Sequence, residues 1–259
     1  MTVAQRDRTT LGGGNESFKA TRWTDILRAR TLDATRRREA VGGVANQYWK
    51  PVYAYLRRRG FNNEVAKDLT QGFFQEVVLG RDLIQKADPQ KGRFRTFLLT
   101  ALDHYVSSVH RGEVAQKARP KEGLLRLEAT GFPDVPDPRH GADPEQAFTY
   151  AWASQLLDEV IATVESACRE SGQGKHWEVF RRTVLQPILA GAEVPPLSVL
   201  CTELGLESER QASNMKITVK RRFRTYLRSR VRELVDSDEE VEQEIRDLMA
   251  ILSRGGTRS

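Results

Sequence analysis

Between Lys67 and Val78 the chain reads KDLTQGFFQEVV, and its side chains repeat with the period of an α-helix. Val65, Leu69, Phe73 and Val77 recur every four residues with Phe74 beside them, which gives one flank suited to a core. Glu64, Asp68, Gln71 and Gln75 form the opposite ridge. That ridge is polar without being strongly basic, and it carries two Gln where a solvated face usually alternates Lys and Glu. The segment is therefore expected to be an amphipathic helix from near Glu64, with its polar side facing either water or a specific partner.

The rest of the chain offers further helical patterns and no alternating strand pattern. Residues 36–59 place Val44, Tyr48, Val52, Tyr55 and Leu56 at helical spacing, with Pro51 expected to kink or restart the helix. Gly60 to Asn63 breaks the chain, and Gly80 to Gly92, containing Asp88-Pro89, reads as a connecting loop. Phe94 to Arg111 carries Phe94, Phe97, Leu98, Ala101, Leu102, Tyr105 and Val109 on one stripe, with cations at both ends. Such aromatic and basic neighbours pack a core or hold a single nucleic-acid strand.

Residues 120–142 hold Pro133, Pro136 and Pro138 without periodicity, so they read as a linker. A new helix then opens with Asp143 as N-cap, Pro144 at its first position and Gln146 completing a capping box. Phe148, Trp152, Leu156 and Val160 give it an apolar stripe. After a further helix from His176, a short helix over 197–204 is followed by Gly205 and a long helix from about Ser208 to Val231. This is the pattern of a helix-turn-helix, or of a helical hairpin with no nucleic-acid role. Arg210, Gln211, Ser213, Asn214 and Lys216 are of types that read base edges, whereas Lys220, Arg221, Arg222 and Arg224 suit phosphates or ion pairs.

Charge is distributed unevenly. The chain carries net +6, but residues 207–232 hold nine cations against two carboxylates, and residues 233–252 hold eight carboxylates against Arg246 alone. The first block suits a polyanion. The second reads as an amphipathic tail helix over 237–252, capped by Ser237 and apolar at Val241, Ile245, Leu248 and Leu252, which either docks on its apolar side alone with its charges solvated or also folds its acidic face back over the basic helix.

Several classes are set aside on the sequence. No uncharged run approaches the roughly 20 residues that span a bilayer, and the N-terminus has no apolar leader. A cytoplasmic protein without a membrane partner is expected. Cys168 and Cys201 do not form a C-x-x-C pair, and both are expected to be packing residues. The four His and the carboxylates show no nucleophile, metal or acid-base spacing, so neither an enzyme nor a cofactor is expected. Gly12 to Gly14 lack the spacing of a phosphate-binding loop.

YWKPVYAYLRRRG, KDLTQGFFQEVV, KGRFRTFLL and the final basic helix after Gly205, in that order, resemble the bacterial sigma-70 superfamily, specifically the short extracytoplasmic-function type with regions two and four alone. The resemblance covers about Trp23 to Arg232. It implies an all-α protein of two helical domains: a disordered 1–20, a region-two bundle over 21–119, a linker over 120–142, a region-four helix-turn-helix domain over 143–235, and an acidic helix and tail over 236–259. It also implies RNA polymerase core and promoter DNA as partners, with an anti-sigma protein as a further possible one. Carried over by position, Asp68, Gln71 and Gln75 fall on the helix that meets core polymerase. Arg93, Arg95, His104, Ser108, His110 and Arg111 fall on the segment that meets the minus-ten element during strand opening. Arg210, Gln211, Ser213, Asn214, Lys216, Lys220, Arg221 and Arg222 fall on the helix for the minus-thirty-five element. The sequence departs from relatives at Gly72, usually Glu, at Asp103, often basic, and at His110, often Trp. The other reading is a diverged sigma-like protein that acts as a sequestered DNA-binding or interaction module.

Overall fold

A computed structural model describes residues 34–80, 83–88, 93–110, 112, 143–235 and 237–256, and among them every regular element is helical. The expected disordered N-terminus, the helical turn at Trp23 to Arg30 and the linker lie outside the described residues.

Helix α1, Ala34–Arg58, runs through Pro51 without restarting. From residue 51 to residue 56 every side chain is buried, including Val52, Tyr53, Ala54, Tyr55 and Leu56. A helix turn buried all round must have neighbours on all sides, so the centre of the molecule is α1 rather than the helix over Lys67 to Val78. Gly60, at φ +95°, turns the chain out of α1, and Asn62 caps the next helix by accepting the Val65 N–H at 2.9 Å.

That helix, α2, spans Asn63–Gly72 and continues with wider, π-helical turns over Phe73–Leu79. Its buried residues are Ala66, Thr70, Phe73, Phe74, Val77 and Val78, while Val65 is exposed and Leu69 only partly covered. The core-facing arc is thus turned about one position from the expected one. Small Ala66 allows close approach, and buried Thr70 satisfies its hydroxyl by donating to the Ala66 carbonyl at 2.7 Å. The expected loop after Gly80 contains one helical turn, α3, Leu83–Lys86, which buries Leu83. Helix α4, Phe94–His110, turns Phe94, Leu98, Leu102, Tyr105 and Val106 inward as its stripe requires.

Helix α5, Pro144–Glu170, starts where its cap predicts, with the Asp143 carboxylate accepting the Glu145 N–H at 3.2 Å. It buries Phe148, Trp152, Leu156, Val160, Val164 and Cys168. Helix α6 comprises Gly174–Phe180, a π-helical turn Arg181–Leu185 and Gln186–Ala190, and Gly191 at φ +62° ends it. Helices α7, Leu197–Leu204, α8, Glu209–Arg232, and α9, Asp238–Gly256, complete the chain.

One apolar core runs through α1 to α6, α8 and α9. Helix α1 packs along α5, the Tyr48 ring stacks over Phe148 at 6.4 Å and meets Phe94 edge-on at 5.6 Å, and Gln155 donates to the Asn46 carbonyl at 3.3 Å. The described parts of 21–119 and 143–235 therefore share a core, where the sequence suggested one for each. Buried aromatics from α1, α2, α4, α5 and α6 meet there, and a large apolar side chain such as Phe contributes roughly 1.5–3 kcal/mol of transfer free energy when fully buried.

Candidate nucleic-acid interface

Helices α7 and α8 are set by a compact turn. Gly205, at φ +59°, ends α7 in the left-handed conformation that glycine adopts at least cost, and the Leu206 N–H returns to the Cys201 carbonyl at 2.9 Å. Ser208 caps α8 by accepting the Gln211 N–H at 3.2 Å, and Gln211 Oε1 accepts the Glu207 N–H at 2.7 Å. Val179, Ala212 and Met215, backed by Leu197, Cys201, Leu204 and Leu206, form a small core that fixes the angle between the two helices.

With Ala212, Met215, Val219 and Leu227 inward, the helical period directs Arg210, Asn214, Ile217, Arg221, Arg224 and Arg228 along one exposed line. Of the residues expected to read DNA, Arg210, Asn214, Lys220 and Arg221 are exposed, and Ser213 and Lys216 are half-buried. Gln211 is half-buried and occupied at the cap. Arg222 is turned away from that line: its Nη1 donates to Ser171 Oγ and Cys168 Sγ, each at 3.3 Å, so it ties α8 to the end of α5. A phosphate clamp at Arg222 is thus replaced by a tether.

An open cleft beside the start of α8 is lined by His176, Ser208, Arg210, Gln211, Asn214, Met215 and Thr218. Burial and the nearby charge of Arg222 lower the His176 pKa, which favours the neutral ring. His176 and Thr218 were not singled out from the sequence. The signal for His176 is tertiary, because α6 carries it to α8 from more than 30 positions away.

On α2, Asp68 is exposed and Gln71 and Gln75 are half-buried. The polar ridge is partly an internal contact, because a Cβ built on Gly72 would lie 2.6 Å from the Tyr105 hydroxyl. Tyr105 is 2% exposed and its ring lies 5.7 Å from Phe73, so it has little room to withdraw. The turn at Gly72 is not open to solvent, because α4 crosses there.

The segment assigned to strand opening is divided. His104 is exposed, whereas Ser108 is buried and its hydroxyl donates to the Tyr105 carbonyl at 2.7 Å, so it offers no surface contact. His110 ends α4, and Arg111 lies outside the described residues. Asp103 accepts the Tyr55 hydroxyl at 2.8 Å and pairs with Arg59. Arg59 Nε also donates to the Tyr55 hydroxyl at 3.0 Å. Burial and then the hydrogen bond to Asp103 push the Tyr55 pKa up to about 12. Asp103 thus completes an internal network.

Arg93 and Arg95 meet the acidic helix α9. Glu244, 1% exposed, accepts Arg93 Nη1 at 2.8 Å and pairs with Arg95, and Asp247 accepts Arg93 Nη2 at 2.9 Å. The Arg95 guanidinium also lies over the Trp152 ring at 4.2 Å. Of the two readings of the acidic tail, contact with the basic helix is present in part, as Arg228 pairs with Glu242 and Arg232 with Asp238 at 2.7 Å. The buried carboxylate, however, goes to the start of α4.

Among the described residues no group of three or more His, Cys, Asp or Glu is gathered as a metal site requires, and no helix is long and apolar enough to cross a membrane. Comparison of the chain with family models, with curated proteins and with solved structures gives no match.

Proposed function

We propose that this protein is a sigma factor: it binds RNA polymerase core and directs transcription initiation at specific promoters, with α8 reading one promoter element and the α4 segment meeting the opened one. The observation that carries this reading is the turn at Gly205 leading into a capped α8 whose Arg210, Asn214, Arg221, Arg224 and Arg228 share one exposed line. A recognition helix needs a fixed angle, donors near its N-terminus and cations for flanking phosphates, and all three coincide here. The polymerase half of the reading rests on the resemblance of KDLTQGFFQEVV to the polymerase-binding helix, where Asp68 is exposed on α2.

A second reading draws on a specific observation. Arg93 and Arg95, needed for promoter opening, are engaged by α9, as a sequestered DNA-binding module without transcription activity would require. Reconstitution separates the two. The chain is mixed with polymerase core, holoenzyme formation is followed by gel filtration, and transcripts appearing on overexpression are sequenced. Co-elution together with transcripts sharing two upstream elements supports the sigma-factor reading; failure to bind core removes it.

A further inference from the structure

We propose that α9 is a built-in competitor for nucleic acid, an acidic strap that occupies the phosphate-binding arginines Arg93 and Arg95 and leaves them when DNA arrives. The inference deepens the sigma-factor reading, on which the assignment of Arg93 and Arg95 to DNA rests.

Three features support it. First, the pairing imitates a phosphate contact. Glu244 presents both carboxylate oxygens to the Arg93 and Arg95 guanidinia, and Asp247 takes a further N–H of Arg93, so two adjacent arginines face two anionic groups. Guanidinium recognises carboxylate and phosphate by the same planar fork, so a phosphate backbone fits the site that α9 fills. Arg95 is preset for either partner because the Trp152 ring lies beneath its guanidinium.

Second, α9 masks both charge regions of the proposed interface. Glu242 and Asp238 engage Arg228 and Arg232 at the end of α8, while Glu244 and Asp247 engage the start of α4. One helix thereby neutralises four cations contributed by two elements. Third, the strap is held along one side. Val241, Glu244 and Leu248 are buried and Ile245, Ile251 and Leu252 are partly covered, whereas Glu239, Glu240, Glu242, Gln243, Arg246 and Met249 face solvent. Ser237 caps α9 by accepting the Glu240 N–H at 3.3 Å, only five residues after α8 ends at Arg232, so few residues of chain tie α9 to the body. Releasing it exposes a small apolar strip and frees cations whose binding to phosphate is driven by counterion release.

The test undocks α9 in two independent ways in the full chain. Glu244→Gln with Asp247→Asn removes the charges that face Arg93 and Arg95; Val241→Asp with Leu248→Asp removes the apolar seat and leaves those charges. Affinity for a fluorescent 20-nucleotide single-stranded DNA is measured across salt concentrations. Both variants are expected to bind about 10-fold more tightly at low salt. The salt slope should steepen by about 1.4 in the first variant, the value for two further cations on a single strand, and by up to about 2.8 in the second, which also frees Arg228 and Arg232. Adding Arg93→Ala and Arg95→Ala should abolish the gain of the first variant. In the unaltered chain, α9 amides should lose hydrogen-exchange protection as DNA saturates.

Unchanged affinity and slope in both variants, or α9 protection that persists in the DNA complex, overturns the strap. Polymerase binding is scored separately. DNA-driven release of α9 without core binding keeps the strap and removes the sigma-factor reading, whereas core binding with a transcript and unmoved DNA affinity removes the strap alone.

Discussion

Gly72 sits in the middle of α2, where glycine costs roughly 0.5–1 kcal/mol relative to alanine. The Tyr105 hydroxyl accounts for it, since any Cβ would meet that oxygen at 2.6 Å inside a packed core. Gly72→Ala is therefore expected to lower stability by about 1–2 kcal/mol, as overpacking outweighs the helix-propensity gain. In a Tyr105→Phe background the nearest ring carbon lies at 3.7 Å, an ordinary contact, and the same change should stabilise by about 0.5 kcal/mol. Urea midpoints of the four proteins check the sign reversal, and stabilisation of the unaltered background by Gly72→Ala would refute the contact. Arg221 and Arg222 make a second contrast between neighbours. Arg221→Ala should weaken every DNA sequence alike and reduce the salt slope by about 1, because Arg221 is exposed on the α8 line. Arg222→Ala should leave the slope intact and cost roughly 0.5–1.5 kcal/mol of stability through loss of its bonds to Ser171 and Cys168. Binding titrations and thermal melts of the two variants decide it.

At the scale of the element, the most consequential docking is that of α9. Its Asp247 lies where burial raises a carboxyl pKa, but hydrogen bonds from Arg93 and Gln243 and the charges of Arg93 and Arg95 prevail and hold it below the usual range. A carboxyl depressed in the folded state contributes stability above its unfolded pKa and loses that contribution as pH falls through its folded value. Asp247→Asn should thus lower the urea midpoint at neutral pH, and the difference from the unaltered chain should close on acidification below the Asp247 titration. A gap of the same size at pH 7 and in strong acid would show that the side chain contributes packing rather than charge. The buried neighbour Glu244 is more demanding: breaking a buried pair costs about 3–5 kcal/mol while the helices stay packed, and that cost favours release of α9 from Arg95 when the Glu244 charge is removed.

For the whole molecule, the shared core decides how the protein responds to denaturant. Helix α1 packs on α5, Arg230 of α8 pairs with Glu159 of α5 at 2.6 Å, and α9 closes over α4, α5 and α8. Elements so interlocked are expected to unfold in one transition. Trp49 on α1 and Trp177 on α6 lie in the two parts that the sequence separates, so each can be followed alone after the other tryptophans are replaced by Phe. Their fluorescence midpoints in urea should coincide; two midpoints would mean that the parts fold independently.

Period and capping alone made the helical class legible. The Asp143 cap with Pro144, the stripe at Phe148, Trp152, Leu156 and Val160, the Gly205 turn and the Ser208 start of α8 depend on neighbours within a few residues, and the structure reproduces them. Such signals are local, and local chemistry is what a sequence displays. The surface positions of Arg210, Asn214 and Arg221 followed for the same reason, once the apolar face of α8 was known. Relations between distant segments were not legible. That α1 is the buried centre, that Gly72 lies beneath Tyr105, that Asp103 serves Tyr55, that Ser108 is buried and that Arg222 is a tether each depend on which helix crosses which. The charge blocks left open whether the acidic tail meets arginines or stays solvated. Only the tertiary structure selected Arg93 and Arg95 for its buried carboxylate, because a buried charge requires donors fixed on both sides, and packing of α9 through Val241 and Leu248 sets Glu244 where α4 supplies them.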